Sequence, residues 1–244
     1  MVSLFKMSDE GNYDEKNLYP YSYGSEHPRS LIEKLRTRIA PFRFRLAARQ
    51  IVNELGIQAE HKVLEIGSGL GLLGKGIRKL VSPNLSYYGV EILFDSAERS
   101  KGAVSPIAAD ALALPFPENI FDFVVSTDVL EHLPNPQKAV QEIYRVLKPG
   151  GKAFLVIADP SEGRFFKITD HHPRSGRKSD VEWWENLFEE IGFEIDESSK
   201  KYRRRDWRRI FNLPFLVKLK DLPGFACAFN PAYRPGVYVL KKPE

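Results

Sequence analysis

Cysteine is almost missing from this chain: Cys227 stands alone among 244 residues, so no internal disulfide can staple the fold. Long apolar runs are missing too. The longest uncharged apolar stretch, Ala153–Ala158, falls far short of the ~20 residues that a membrane-spanning helix needs, which excludes a helical span. The first residues reach Asp9 and Glu10 before any signal-like apolar core has formed, and the expected location is cytoplasmic. No gross compositional bias exists either. Apolar residues at 43% and charged residues at 28% lie near the soluble average, against a disordered, collagen-like or membrane protein. The length suits one large domain or two small ones, and a single α/β domain of this size can still close around one core.

The net charge of +4 is modest, but it is unevenly distributed. Between Lys200 and Lys220 nine Lys and Arg face the single acid Asp206, with Asp221 just beyond, so the rest of the chain is slightly acidic.

From about His61 short apolar runs alternate with amphipathic runs of helix length, the pattern of βα units feeding a parallel sheet. The expected strands are Lys62–Ile66, Ser86–Glu91, Val104–Ala109, Phe121–Ser126, Lys152–Ala158, a possible Phe193–Glu197, and Gly236–Lys241. Helices are expected at Leu70–Leu80, the unusually brief Phe94–Lys101, Asn135–Leu147 and Asp180–Ile191. Pro149-Gly150-Gly151 is expected to stop the third of these and turn the chain into the next strand. Before the alternation lie about thirty residues rich in Tyr, Asn, Asp, Glu and Ser, then helices expected at Leu31–Ile39 and Phe42–Leu55, separated by Pro41.

The segment Val63-Leu64-Glu65-Ile66-Gly67-Ser68-Gly69-Leu70-Gly71 carries the most chemistry. An apolar strand ends in an acid, three glycines at alternate positions turn the chain, and a helix follows. Glycines allow a sharp bend and close approach of a ligand, while the helix start offers unpaired N–H groups. Such a turn is shared with dinucleotide enzymes, and a plain tight turn would also account for it. Twenty positions on, Glu91 ends the second strand, where a carboxylate can accept both hydroxyls of a ribose. Asp110, in Ala109-Asp110-Ala111 after the third strand, could accept from an exocyclic adenine amine or simply cap the next turn.

Together these residues resemble class I S-adenosylmethionine-dependent methyltransferases. The resemblance rests on Glu65–Gly71, Glu91, Asp110 with Leu114-Pro115-Phe116, Phe121–Ser126, Val129-Leu130-Glu131-His132-Leu133 and Leu147-Lys148-Pro149-Gly150-Gly151, in the family's order and spacing. It covers about Gln50–Ala158 closely and Asp180–Leu240 more loosely. It implies a Rossmann-like, doubly wound α/β sheet of seven strands whose last strand is antiparallel, with S-adenosylmethionine over the carboxyl ends of the first strands. Glu65 and the backbone of Gly67, Ser68, Gly69 and Gly71 would surround its methionine part. Glu91 and Ile92 would meet the ribose, Asp110 and Ala111 the adenine, and Ser126 the sulfonium. The segment after Glu91 is shorter than the family's usual second helix. Residues 1–55 would form an N-terminal extension packed on a methyltransferase domain spanning 56–244, with a basic insertion at 200–235 before the last strand.

Methyl transfer of this kind draws most of its rate from holding an acceptor lone pair in line with the methyl group. A base is needed only where the acceptor keeps a proton at neutral pH. The candidates after the fourth and fifth strands are Asp128, His132, Asp159 and the pair His171-His172, the last placed where the family commonly lines its acceptor pocket. No third ligand stands at metal-binding spacing from the two histidines.

The basic run Lys200–Phe211 has three readings. As an amphipathic helix presenting Trp207, Ile210 and Phe211 it would suit a membrane surface or a lipid-like acceptor. Arginines beside aromatics could instead grip RNA, and a solvated flap over the cleft accounts for the same residues. The reading favoured is methyl transfer from S-adenosylmethionine to an oxygen or nitrogen of a small or lipid-like molecule. An RNA methyltransferase, a non-catalytic binding protein of the same fold and a nicotinamide dehydrogenase are the rivals. Glu65 stands against the last, since dinucleotide strands normally stay apolar there.

Overall fold

The computed structural model describes residues 31–157, 181–196 and 236–244. The elements are α1 (Leu31–Leu55), β1 (Lys62–Ile66), α2 (Leu72–Leu80), β2 (Ser86–Glu91), α3 (Phe94–Arg99), β3 (Ser105–Ala108), β4 (Phe121–Thr127), α4 (Pro136–Val146), β5 (Leu147–Ile157), α5 (Val181–Ile191), β6 (Glu194–Ile195) and β7 (Gly236–Lys241). The strands form one seven-stranded sheet in the order β3-β2-β1-β4-β5-β7-β6. Strands β1 to β5 pair in parallel, and β7 runs antiparallel to both β5 and β6. This is the Rossmann-like fold that the motifs imply. Among the described residues no helix is long and apolar enough to cross a membrane.

Alternation along the central strands builds two cores, because successive strand residues point to opposite faces. Leu64, Ile66, Val124 and Leu155 enter one, closed by Ala139, Val140 and Ile143 of α4 and Trp184 and Phe188 of α5. Val63, Tyr87, Val125 and Phe154 enter the other, covered by Ala48 and Ile51 of α1 and Leu73 and Ile77 of α2. With both faces covered, β1 and β4 are nearly continuous apolar runs, as parallel strands usually are.

Two expectations are corrected. The break at Pro41 does not occur: α1 continues from Leu31 to Leu55. Proline already holds a helical φ, so what it removes is one backbone bond, at ~3 kcal/mol or more, and not the capacity to be helical. The Pro149-Gly150-Gly151 turn also lies within β5 and not before it. Phe121 pairs with Leu147 and Phe123 with Lys152, so Lys148–Gly151 bulges out between two paired positions, with Gly150 at φ +74°. Helix α4 ends at Val146, one residue before the strand begins. Elsewhere the agreement is close, including the brevity of α3 and the Asn135 side chain capping α4 through the Lys138 N–H.

Helix α2 lies unusually close to the sheet because of Gly74. A Cβ there would stand 2.3 Å from Val104 Cγ1 and 2.6 Å from Tyr87 Cε1. Alanine is favoured over glycine by ~1 kcal/mol in a helix, yet the expected result of Gly74→Ala is a net destabilisation of ~1–3 kcal/mol from overpacking. Urea denaturation checks this; a variant as stable as the wild type would show that α2 can retreat at little cost.

Candidate functional site

The chain leaves β1 through a loop hung on the end of β2. The N–H groups of Gly67 and Ser68 donate to Val90 O at 2.8 and 3.0 Å, and Gly71 N–H closes a turn onto Ser68 O at 2.8 Å. Gly67, Gly69 and Gly71 all take left-handed backbone, with φ of +73°, +49° and +70°. Glu91, 2% exposed, locks the loop from the side: Oε2 accepts the Gly69 N–H at 2.9 Å and Oε1 accepts the Leu93 N–H at 3.1 Å. The space above Gly69 is open, with nothing within 4 Å of where its Cβ would stand. The loop thus leaves open space above Gly69 beside the buried Glu91 carboxylate, and α2 begins immediately beyond.

Glu65 lies under this loop. Its Oε2 accepts the Tyr87 hydroxyl at 3.0 Å, and the Gly74 N–H also reaches the carboxyl. Burial pushes it up to about 8, with Glu91 adding repulsion, against the two hydrogen bonds that favour the charged form. Burial, followed by the neighbouring Glu65, holds the Tyr87 phenol well above its ordinary range. Between 4.5, the ordinary value, and about 8 the folded protein therefore keeps a proton on Glu65 that the unfolded chain has lost. Stability from this proton is complete below that window and is lost as pH rises through it. The melting temperature of the cofactor-free protein is expected to fall between pH 6 and 8, and Glu65→Gln, which cannot ionise, is expected to flatten that fall. Equal pH dependence in both proteins would show that Glu65 does not titrate here.

The other site residues line the same sheet edge. Asp110 follows β3 and its Oδ1 accepts the Leu112 N–H at 2.8 Å, so the turn-capping role is present. Ile92 is half-buried at the end of β2, and Ala111 is buried. Ser126, near the end of β4, is 1% exposed, and neither its hydroxyl nor that of buried Ser68 meets a hydrogen-bond partner among the described residues. Asp128 and His132 are both exposed in the loop after β4, Asp128 at a strained φ of +55° and His132 in a short 3-10 turn, Leu130–His132. Asp159, His171, His172, residues 1–30 and the basic run 200–235 lie outside the described residues.

Supports of this edge escape a reading by motif. Arg145 donates to Phe116 O at 2.7 Å and Leu114 O at 3.1 Å, while Glu142 Oε2 accepts the Leu114 N–H at 2.7 Å. This pair, at adjacent turns of α4, pins the loop that follows Asp110. Its i,i+3 spacing is visible in the sequence; its partner some thirty residues upstream is not.

Residues 64–155 match the methyltransferase domain family. A ubiquinone/menaquinone biosynthesis C-methyltransferase UbiE of Neisseria meningitidis serogroup A is 31% identical over 172 residues, covering 64% of this chain and 69% of the relative. The chain belongs to the class I S-adenosylmethionine-dependent methyltransferases. The UbiE enzyme of Cupriavidus taiwanensis is 35% identical over 112 residues, a stretch that spans 43% of this chain and under half, 46%, of the relative. A phosphoethanolamine N-methyltransferase 2 of Haemonchus contortus, solved with S-adenosyl-L-methionine, shares the fold at a TM-score of 0.57 and 18% identity, over 81% of this chain and 52% of that one. The [4+2]-cyclase SpnF shares it equally, at 0.57 and 18%, over 82% and 81%. One fold thus serves proteins named for C-methylation, for N-methylation and for a cyclisation, and the sheet alone does not select an acceptor among class I methyltransferases. Their common cofactor is cationic, and the ends of β1, β2 and β3 here bring three carboxyl groups, Glu65, Glu91 and Asp110, to one edge.

Proposed function

We propose that this methyltransferase acts on a small or lipid-like molecule, with its cofactor seated across the carboxyl ends of β1 to β4. The open cradle over Gly69, flanked by the Glu91 carboxylate, carries this reading. S-adenosylmethionine supplies an electrophilic methyl group and a neutral thioether leaving group. Gly67, Ser68, Gly69 and Gly71 would hold its amino-acid end on backbone, with Glu65 beneath. Glu91 would accept from the ribose, Ile92 would pack against the nucleoside, and Asp110 with Ala111 would take the adenine. The buried Ser126 hydroxyl, having no partner among the described residues, suits a polar contact near the reacting centre.

The acceptor must be brought over the same edge from the side of the loop after β4. Asp128 and His132, both exposed, would take a proton from a hydroxyl or amine acceptor, and His171 and His172 are candidates for the same task. An oxygen or nitrogen acceptor is the first reading. A carbon acceptor is the second, supported by the C-methyltransferase names of the relatives. Residues 1–55 would serve as an extension packed on the domain that begins at 56. The close approach of α1 to α2, where a Cβ on Gly76 would stand 2.9 Å from Ala48 Cβ, supports that packing.

The test is transfer from cofactor carrying a carbon-13 methyl group, offered with phenols, amines and quinols. The methyl carbon shift in the product reports the acceptor atom directly. Label on a small molecule is expected; label found only on RNA or protein would overturn the small-acceptor reading.

A further inference from the structure

Tyr87 occupies a position in β2 that a doubly covered parallel strand normally fills with an aliphatic residue. Its ring is fully buried among Leu73, Ile77 and Val104, and a phenol in such a layer needs a partner for its hydroxyl. The partner is not a backbone carbonyl but Glu65 Oε2, at 3.0 Å. The register shows how it reaches there. Tyr87 lies beside Val63, and Gly89 lies beside Glu65, so the phenol leans two positions along the strand to meet the carboxyl, while Ser68 and Val104 fill the space beside Gly89. The missing Cβ of Gly74 makes room for the ring, while the Gly74 N–H reaches the same carboxyl. On the far side Arg78 gathers the carbonyls of Leu85, Ala103 and Tyr87 at 3.2–3.3 Å, fixing the strand from which the ring projects.

We propose that Tyr87 is a positioning residue of the cofactor site: its hydroxyl aims the Glu65 carboxyl beneath the glycine loop and favours its charged form when the cationic cofactor end is bound. This rests on the placement of Glu65 under that end. The groups that face Glu65 make the balance a close one. Glu91, on the same strand as Tyr87, opposes a second negative charge, Val125 on the other neighbouring strand is apolar, and Arg78 acts on Tyr87. Among the described residues the Tyr87 O–H and the Gly74 N–H favour the carboxylate. Removing one of two such donors moves the equilibrium toward the neutral acid, which offers less to an ammonium group.

Calorimetric titration with S-adenosylhomocysteine between pH 6 and 8.5 tests this on the wild type, Tyr87→Phe, Glu65→Gln and the double variant. Wild-type affinity is expected to tighten with pH by at most tenfold per unit, as one linked proton requires, and to level off near pH 8. Tyr87→Phe is expected to weaken binding about tenfold at pH 7.5 and to move the midpoint up by about one unit. In the Glu65→Gln background binding becomes independent of pH, and the added Tyr87→Phe change has less than a twofold effect. A purely structural tyrosine would lower the melting temperature and leave affinity and midpoint where they were, which overturns the proposal. Equal losses from Tyr87→Phe in both backgrounds overturn it as well. Should Tyr87→Phe fail to fold, a pH-dependent affinity that survives in Glu65→Gln does the same. Failure of the wild type to bind at any pH defeats the site placement itself, and this inference with it.

Discussion

Gly69→Val is expected to abolish cofactor binding, by ~100-fold or more, in a protein that still folds. The reason lies in where the new atoms go. A Cβ on Gly69 meets no protein atom within 4 Å, so the branched side chain enters the open concavity and not the core. At φ +49° the backbone is one that a β-branched residue adopts only with strain, of order 1–3 kcal/mol. That strain lowers stability modestly and also pulls at the Gly69 N–H that Glu91 accepts. Gly74→Ala should do the converse, since its methyl group strikes Val104 and Tyr87 inside the fold. Circular dichroism and S-adenosylhomocysteine titration on the two variants separate ligand space from packing space. A Gly69→Val protein that binds as tightly as the wild type would place the cofactor elsewhere.

The contrast shows how far a motif can be read. Three glycines at alternate positions mark a turn that approaches a ligand, and all three do adopt the left-handed backbone that justifies glycine. Gly74 follows three positions after Gly71, yet its task is different, because it admits the ring of Tyr87 from a strand thirteen positions later. Spacing cannot distinguish these tasks; only the tertiary neighbours can. The strands were legible for a physical reason. A sheet covered on both faces leaves little freedom in its central strands, so runs such as Val63–Ile66 and Phe123–Ser126 announce themselves. Pro41 and Pro149 misled because both were read as local punctuation. The first lies inside a continuous helix, and the second is absorbed as a bulge within β5.

The site divides along the same line. Glu91 and Asp110 stand at strand ends, where the fold dictates that ligands gather, so their places follow from topology. The protonation of Glu65 follows from burial, and it is opposed by Tyr87, a residue that the sequence presents as one more aromatic in an apolar strand. The Glu142–Arg145 brace shows locally only its i,i+3 spacing, while the loop it holds lies about thirty residues away. What a sequence hides here is the support of the site and not its front row.

Glu91→Ala is expected to weaken S-adenosylhomocysteine binding by at least ~100-fold. Each charge-assisted hydrogen bond contributes ~1.5–3 kcal/mol, and two ribose hydroxyls would lose their acceptor at once. The loop pays as well, because the N–H groups of Gly69 and Leu93 both lose the carboxylate oxygens that hold them. Glu91→Gln separates the contributions. It keeps one oxygen as an acceptor but sets an amide N–H donor against the other backbone N–H, so its loss is expected to fall between wild type and alanine. A third readout is independent of the ligand. Glu91 raises Glu65 by repulsion, so either neutral variant should lower the pH at which cofactor-free stability finishes declining. Weak binding together with that shift would tie Glu91 to both the ribose and the buried acid. Unchanged affinity in a folded Glu91→Ala protein would remove it from the site, leaving the carboxylate as no more than the clasp of a glycine loop.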